Sequence, residues 1–565
     1  MVMATMLDSL LQPLSIFVLA LGAGFLIPLF DRAHRGSAIM VFMLALSAMV
    51  IIAGFNLLAI INGAPAIDIE TAGIKPPFSI NLRFGLFEGC FVLAVNTAAL
   101  LGAWHYLPKL KQHASALLLY LILVMGINGM VMTRDLFNLF IFIEITSIAT
   151  YALIGMERTA SSLTAGFKYI IATSIASAFF LLGTIFIYYQ TGTLNIDDII
   201  ANQALISGPI GFVATLFVLT SLLIELKPYP ANGWGLDVYE TAESGIASLI
   251  SVGVSAGVFF SVYKLLPLAT DLLMSIALIG GLTFLFSNII GLKQDNAKRL
   301  LGYSSIGQMG LLTMAIALLT QLDVDTQMPI IVGGLFINHL FAKAGLFWLA
   351  GIVDKTHIKD WSAIAGRRGL LLLFGIMITA LVGLPPFPGF WAKWELVMLL
   401  ASNEMFTWIA LVLIGSLLEA AYLFRWFNYA RQSEDEQTET SAGYWQSLPV
   451  TFAVVLLFAS GYLMAIIMQT ASPELFLPLV VGFSLWLLDC VPGRFKNLPM
   501  LAAVAVGGYL LSNELEGINR LFSYLLIGGG LLVSVAAMYR NDARKGFYPL
   551  LAVLLLSLAT LLRAQ

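Results

Sequence analysis

The sequence contains few of the residues from which redox and metal centres are usually built. Among 565 residues there are only two cysteines, Cys90 and Cys490, and five histidines. Two cysteines so far apart form neither a metal-binding motif nor a disulfide framework. Nor does the chain contain a phosphate loop, a haem-attachment motif or a nucleophile elbow. We therefore expect no cofactor and no metal centre in this chain, and any redox chemistry must come from elsewhere.

Charge is also scarce. Charged residues make up 11% of the chain and apolar residues 59%, and the formal net charge is -3. This is far less charge than a soluble domain needs to keep its surface solvated. Because there is no polybasic segment either, nucleic acid is not expected as a partner. The composition instead predicts a protein whose solvent is the lipid bilayer.

Long apolar stretches fill the chain from end to end. Each is long enough to cross a hydrocarbon layer about 30 Å thick, so we predict an all-α polytopic membrane protein of about eighteen transmembrane helices. Met1–Pro13 lacks the basic segment and cleavage site of a signal peptide, so the first helix is expected to be retained. The predicted spans lie near residues 13–31, 37–61, 84–105, 115–131, 135–155, 164–190, 208–227, 243–268, 272–291, 301–320, 329–352, 370–400, 405–427, 448–469, 475–491, 498–512, 521–538 and 547–562.

The distribution of basic residues predicts the orientation. If the N-terminus lies outside, most of the 29 lysine and arginine residues fall in loops on the cytoplasmic side. This is the pattern that the positive-inside rule requires. We therefore expect a multi-pass protein of a prokaryotic inner membrane with both termini outside.

Ionisable residues within the predicted helices are the main functional signal. Each costs about 2.5 to 3.5 kcal/mol at the bilayer centre, so it must be paired or hydrated, and such residues commonly mark ion pathways. The sequence places ten of them at membrane depth: Glu88, Glu144, Lys168, Glu225, Lys227, His339, Lys343, Lys393, Glu395 and Glu419.

Two pairs among these residues each allow two interpretations. His339 and Lys343 are four residues apart, on one helix face, and either relay protons or serve as a packed histidine and a snorkelling lysine. Glu144 has no basic residue within a turn on its own helix, and Lys168 on the next span is its expected partner. That pair either takes part in ion movement or is a static buried pair that orients two helices.

Two helices are predicted to be interrupted at membrane depth. Lys393 ends LVGLPPFPGFWAK, and a second proline- and glycine-containing segment, LIELKPYPANGWGLDVYE, occupies the corresponding place in the first half of the chain. Paired interruptions are typical of transporters built from inverted repeats, in which broken helices line the ion site. The alternative for Lys393 is an ordinary proline kink near a helix end.

A series of motifs, in this order, carries a family resemblance: RDLFNLFIFIE, KYIIATSIASAFFLLG, DNAKRLLGYSSIGQMG, NHLFAKAGLFWLAG and GLPPFPGFWAKWE. Together they resemble the antiporter-like subunits shared by complex I, Mrp-type sodium/proton antiporters and membrane-bound hydrogenases. The resemblance spans roughly residues 80 to 430. A further motif, SLLEAAYLFRWF, is more similar to the Mrp and hydrogenase branch.

The resemblance implies two five-helix repeats of inverted topology, at residues 115–268 and 272–427. They would be flanked by N-terminal helices in 1–114 and extra helices in 447–565. It implies protons or sodium ions as cargo and other membrane subunits as partners. The residues expected to move the ion are Glu144, Lys168, Glu225, Lys227, His339, Lys343, Lys393 and Glu395.

The first half departs from the family pattern. Counting back from Asp237, Glu225 occupies the position of the family's broken-helix lysine, and Lys227 follows two residues later. Ala256 stands about where the family has a second lysine. The first half could therefore conduct, prefer another cation, or be a structural relic beside a working second half.

Three functions follow from these observations. The first is a pump subunit, driven by redox chemistry in partner subunits of an oxidoreductase complex. The second is an Mrp-type cation/proton antiporter subunit without redox coupling. The third is a scaffold subunit that no longer conducts.

Overall fold

The protein is almost entirely helical, as the computed structural model describes it for residues 11–71, 73–432 and 444–468. Helices are the expected solution, because the hydrocarbon layer offers no water to backbone N–H and C=O groups. Within the described residues, 12 helices are long and apolar enough to cross a membrane. The predicted spans from residue 475 onward lie outside the described residues.

The N-terminal helices are joined to the rest of the bundle by a hydrogen-bonded pair of asparagines. Its elements are α1 (Ser15–Ala33), α2 (Arg35–Ile61), β1 (Ile67–Glu70), β2 (Asn81–Phe84) and α3 (Leu86–Leu110), with β1 and β2 forming an antiparallel hairpin. Asn96 on α3 and Asn128 on α4 (Ala114–Met132) exchange amide hydrogen bonds of 2.8 and 3.1 Å. Both side chains are fully buried, so this reciprocal pair satisfies their polar groups and joins α3 to α4.

The first of the two stretches predicted as repeats contains a split helix. After α4 its elements are α5 (Leu136–Gly155), α6 (Ala160–Thr191), the short α7 (Ile196–Ala201), α8 (Pro209–Glu225), α9 (Gly233–Thr241), α10 (Ser244–Leu249) and α11 (Ser255–Leu265). Pro228 and Pro230 lie between α8 and α9, where proline can neither donate a helical hydrogen bond nor continue a helix. A π-helical turn, Ile250–Val254, joins α10 to α11.

The second stretch also has a split helix, in the corresponding place. Its elements are α12 (Leu273–Gly291), α13 (Ala297–Gln321), α14 (Gly334–Val353), α15 (Arg368–Val382), α16 (Pro388–Ser402) and α17 (Phe406–Arg431), and α18 (Tyr444–Ile467) follows. The single span predicted at 370–400 is thus two short helices. Gly383 ends α15 in the left-handed conformation, at φ +84°, and Pro388 begins α16. In both stretches three long helices precede the split helix and one membrane-length span follows it. In the first stretch this span consists of α10, the π-helical turn and α11; in the second it is α17.

The second stretch depends on a close contact between α12 and α13. A Cβ added at Gly280 would lie only 2.6 Å from the carbonyl oxygen of Gly310 and 2.6 Å from the backbone nitrogen of Met314. Both neighbours are backbone atoms, so they cannot turn aside. The glycines therefore let the two helices approach as closely as small residues allow in membrane proteins.

Replacing Gly280 by alanine is expected to destabilise the protein by about 1 to 3 kcal/mol, because the added methyl group overpacks this contact. Thermal unfolding in detergent would measure the change. The matched control is Gly22→Ala on α1, where an added Cβ has no atom within 4 Å. Equal melting temperatures for the two variants would contradict the prediction.

Candidate functional site

A buried carboxylate, Glu419 on α17, is the centre of a polar cluster in the second stretch. Its Oε1 accepts a 2.6 Å hydrogen bond from the Ser304 hydroxyl, and its Oε2 accepts one from the Gln308 amide. The ammonium of Lys393 lies 3.9 Å from Oε2. The ammonium of Lys343 on α14 donates to the Ser304 hydroxyl. We call Ser304, Gln308, Lys343, Lys393 and Glu419 the Glu419 cluster.

The split helix positions Lys393 in this cluster. Because α16 begins at Pro388, Lys393 lies in its second turn, and its ammonium is 3.3 Å from the carbonyl oxygen of Val382 and 3.5 Å from that of Leu381. Those carbonyls end α15, where the helix dipole favours a cation. The interruption thus places one ammonium between a half-helix end and a carboxylate.

His339 connects the second stretch to the first. Its Nε2 lies 3.4 Å from the backbone carbonyl oxygen of Ser251, whose hydroxyl is 2.7 Å from the Ser305 hydroxyl. His339 is buried, one helical turn before Lys343 on α14. Glu395 is half-buried and is not among the ion-pair or hydrogen-bond partners of Lys393 in the described part of the chain.

Glu144 and Lys168 do not form the ion pair that the sequence predicts. Glu144 accepts a hydrogen bond from the Ser177 hydroxyl on α6, whereas the ammonium of Lys168 lies 2.6 Å from Asp237 Oδ2 on α9. The spacing along α6 explains the difference. Ser177 lies about 14 Å further along the helix than Lys168 at 1.5 Å per residue, so Lys168 is remote from the level of Glu144.

Glu225 ends α8 and Lys227 lies at the start of the interruption before α9, and both are almost fully buried. The Lys227 ammonium donates to the backbone carbonyl oxygen of Glu225 at 3.0 Å and lies 5.2 Å from the centre of the Trp234 ring. The Glu225 carboxyl, in contrast, leaves Oε1 without a hydrogen-bond partner among the described residues. Lys227 adopts φ +61°, the left-handed conformation that closes off α8.

Lys264, near the end of α11, is a further buried cation. Its ammonium donates to the carbonyl oxygens of Met130 and Thr133, at 2.6 and 2.7 Å. These carbonyls belong to the C-terminal end of α4, where an ammonium satisfies oxygens that have no helical partner. This lysine closes a helix end and lies outside the Glu419 cluster.

Sequence reasoning missed several members of these networks. Glu419 is recognisable as an intramembrane charge but is absent from the predicted ion path, and polar residues such as Ser304 and Gln308 give no charge signal. The sequence marks Asp237 only as the residue from which the family's positions in the first half are counted. A four-residue spacing does mark Ser304 and Gln308 as neighbours on one face of α13, opposite Glu419.

Buried carboxylates and amines, connected by hydroxyl groups across split helices, define a polytopic membrane protein of the ion-transporting class. The comparisons with known proteins agree. The model of the family described as "NADH:quinone oxidoreductase/Mrp antiporter, TM" matches residues 133–419, more than half of the chain. The chain belongs to this family.

The individual relatives include a subunit of an NADH-quinone oxidoreductase and a subunit of an Na(+)/H(+) antiporter. The chain is 29% identical to a subunit of the NADH-quinone oxidoreductase of Desulforudis audaxviator, over 68% of this chain and 79% of that protein. It is 28% identical to a subunit of the Na(+)/H(+) antiporter of Alkalihalophilus pseudofirmus, over 76% of this chain and 91% of that protein. Among solved structures, a chain of an archaeal membrane-bound sulfane sulfur reductase is 26% identical, with a TM-score of 0.72, covering 81% of this chain and 95% of the other.

Proposed function

We propose that this chain is the cation-translocating, antiporter-like subunit of a multi-subunit membrane complex, and that its cargo is the proton or the sodium ion. The observation that carries this proposal is the Glu419 cluster, in which two lysines from different helices share one buried carboxylate. Such an arrangement is costly in lipid and a weak source of stability, so its presence favours a role in ion movement.

The proposed ion path has a second-half and a first-half segment. In the second half the ion passes by His339, Lys343 and Lys393, and Glu419 supplies the counter-charge. In the first half Glu225 and Lys227 provide ionisable groups at the same kind of helix interruption, and Glu144 provides one in the middle of α5. Lys227 would serve as the family's broken-helix lysine, shifted by two residues. The contact between Ser251 and Ser305 joins the two halves by hydrogen-bonding groups.

The energy for transport is proposed to come from redox chemistry in partner subunits, since we expect this chain to hold no cofactor. The protein would sit in a prokaryotic inner membrane with both termini outside, and its about eighteen helices would include two inverted repeats. The matching order of long and split helices in the two stretches supports the repeats. The helices predicted at the end of the chain, outside the described residues, would dock against a neighbouring membrane subunit.

An Mrp-type cation/proton antiporter subunit without redox coupling is the second candidate. Its specific support is the similarity to a subunit of an Na(+)/H(+) antiporter, which extends over 91% of that protein. The two candidates share the ion path and differ in the source of energy. Transport driven by an imposed sodium or pH gradient, with no electron donor present, would favour the second.

The experiment that tests the proposed function measures proton and sodium transport in membrane vesicles that hold the whole complex. Lys393→Ala and Glu144→Gln are compared with the wild type at matched assembly levels. We expect transport on the order of 100-fold lower for Lys393→Ala, because a group that transfers protons is worth that much. Glu144→Gln reports separately on the first half.

The control is Asp31→Asn, which removes a carboxylate from an exposed ion pair with Arg35, 3.9 Å apart, outside both stretches. It should transport like the wild type. Unchanged transport in both Lys393→Ala and Glu144→Gln would make the chain a scaffold and refute the proposed path.

A further inference from the structure

The short helix α9 holds the buried lysine of the first half on one of its faces. Trp234 and Tyr239 present their rings to the Lys227 ammonium, with centroids at 5.2 and 5.8 Å. Gly235 lies between them, and a Cβ there would overlap the aliphatic stem of Lys227. Cation–π contacts stabilise an ammonium most strongly when it is desolvated, as Lys227 is here. The place of Lys227 therefore depends on the place of α9.

The opposite face of α9 carries an ion-pair network. Asp237 accepts from Lys168 on α6 at 2.6 Å through Oδ2 and from Arg299 on α13 at 2.9 Å through Oδ1. Arg299 also contacts Glu240, one turn further along α9, at 2.6 Å. A third contact to α13 comes from Asn296, which donates to Glu240 at 3.0 Å. Because α6 belongs to the first stretch and α13 to the second, α9 is held by both.

We propose that Asp237 is a positioning residue that couples the two halves of the ion path: by binding Lys168 and Arg299 together, it sets where α9 holds Lys227. Among the described residues, Asp237 forms no ion pair or hydrogen bond with Glu144, Glu225 or Lys227 through its carboxylate. This inference rests on the proposed function and adds to it a physical connection, from the second stretch through Arg299, Asp237 and α9 to the first-half lysine.

The geometry favours positioning over simple stabilisation. Isolated exposed ion pairs contribute little to stability, so the Lys168–Asp237 pair alone would do little for it. The helix α9 has only 9 residues and packs against both α6 and α13, so a shift of either helix acts directly on its position. A carboxylate that binds cations from two stretches at once is well suited to transmit a shift of one to the other.

The test is a set of substitutions in vesicles holding the whole complex, with assembly measured in parallel. We expect Asp237→Asn to reduce transport about 5- to 100-fold, the usual range of coupling between sites, and Asp237→Glu to restore most of it. The decisive comparison is with Lys227→Met. If Asp237 acts through Lys227, the double variant Asp237→Asn/Lys227→Met transports no more slowly than Lys227→Met alone.

Three results would overturn the inference: wild-type transport in Asp237→Asn, losses that multiply in the double variant, or no recovery in Asp237→Glu. Should Asp237→Asn fail to assemble, Arg299→Gln breaks the same network from α13 and is judged by the same comparisons. Lys393→Ala, measured in the same vesicles, separates the two proposals. Wild-type transport in both Lys393→Ala and Glu144→Gln refutes the proposed function, whereas lost transport in Lys393→Ala beside normal transport in Asp237→Asn refutes only the coupling.

Discussion

Replacing Glu419 by glutamine is expected to lower ion transport on the order of 100-fold while leaving the complex assembled. Glutamine has the same shape and its amide oxygen still accepts the hydrogen bond from Ser304. It removes the negative charge, however, and Lys343 and Lys393 then share the cluster without a counter-ion. Two ammonium groups at membrane depth then repel each other with no carboxylate to compensate them, so the counter-charge on which the ion path depends is lost.

The measurement is proton transport in vesicles at matched assembly, with Asp31→Asn as the carboxylate-to-amide control. Glu419→Asp keeps the charge on a shorter side chain and should retain part of the activity. If Glu419→Gln transports like the wild type, the carboxylate is a structural hydrogen-bond acceptor and the ion path lies elsewhere.

Replacing Glu225 by glutamine is expected to separate stability from transport. The carboxyl of Glu225 is buried with Oε1 lacking a hydrogen-bond partner among the described residues, so its charged form is poorly compensated. Burying a charge without a hydrogen-bond partner costs free energy, so replacing this carboxyl by an amide is expected not to destabilise the protein. We expect a melting temperature equal to or above that of the wild type, and transport on the order of 100-fold lower because a proton-exchanging group is lost.

Thermal unfolding in detergent and transport in vesicles, made on the same preparations, check this prediction. The opposite pattern, lower stability with normal transport, would mean that Glu225 only supports the interruption between α8 and α9. It would also mean that the first half is a relic beside a conducting second half.

The helices could be predicted from the sequence because an apolar stretch long enough to cross the membrane is a strong signal. Even the interruption at Gly383–Pro388 was foreseeable, since consecutive prolines cannot continue a helix. The division of the 370–400 span into two separate helices was less accessible. It depends on where Pro388 restarts a helix against the neighbouring α14, which is a tertiary contact.

The site was predictable in its charges but not in its partners. Lys343 and Lys393 could be chosen because a lysine in an apolar run is conspicuous. The pairing of Lys168 could not, because Asp237 looks like an ordinary loop carboxylate until α9 folds beneath α6. Hydroxyl and amide groups such as those of Ser304 and Gln308 are common in membrane helices, and only the packing of α13 against α17 gives them a role.

The reciprocal amide pair between α3 and α4 differs from the polar contacts of the ion path in carrying no charge. Asn96 and Asn128 are neutral, so their bonds keep the same strength whether the carboxylates and amines of the ion path are charged or not. The N-terminal helices are thus held against the first stretch by hydrogen bonds whose strength does not depend on the charge of the ion path. We therefore expect α3 to keep its place against α4 while the charge-dependent contacts at α9, α13 and α17 change.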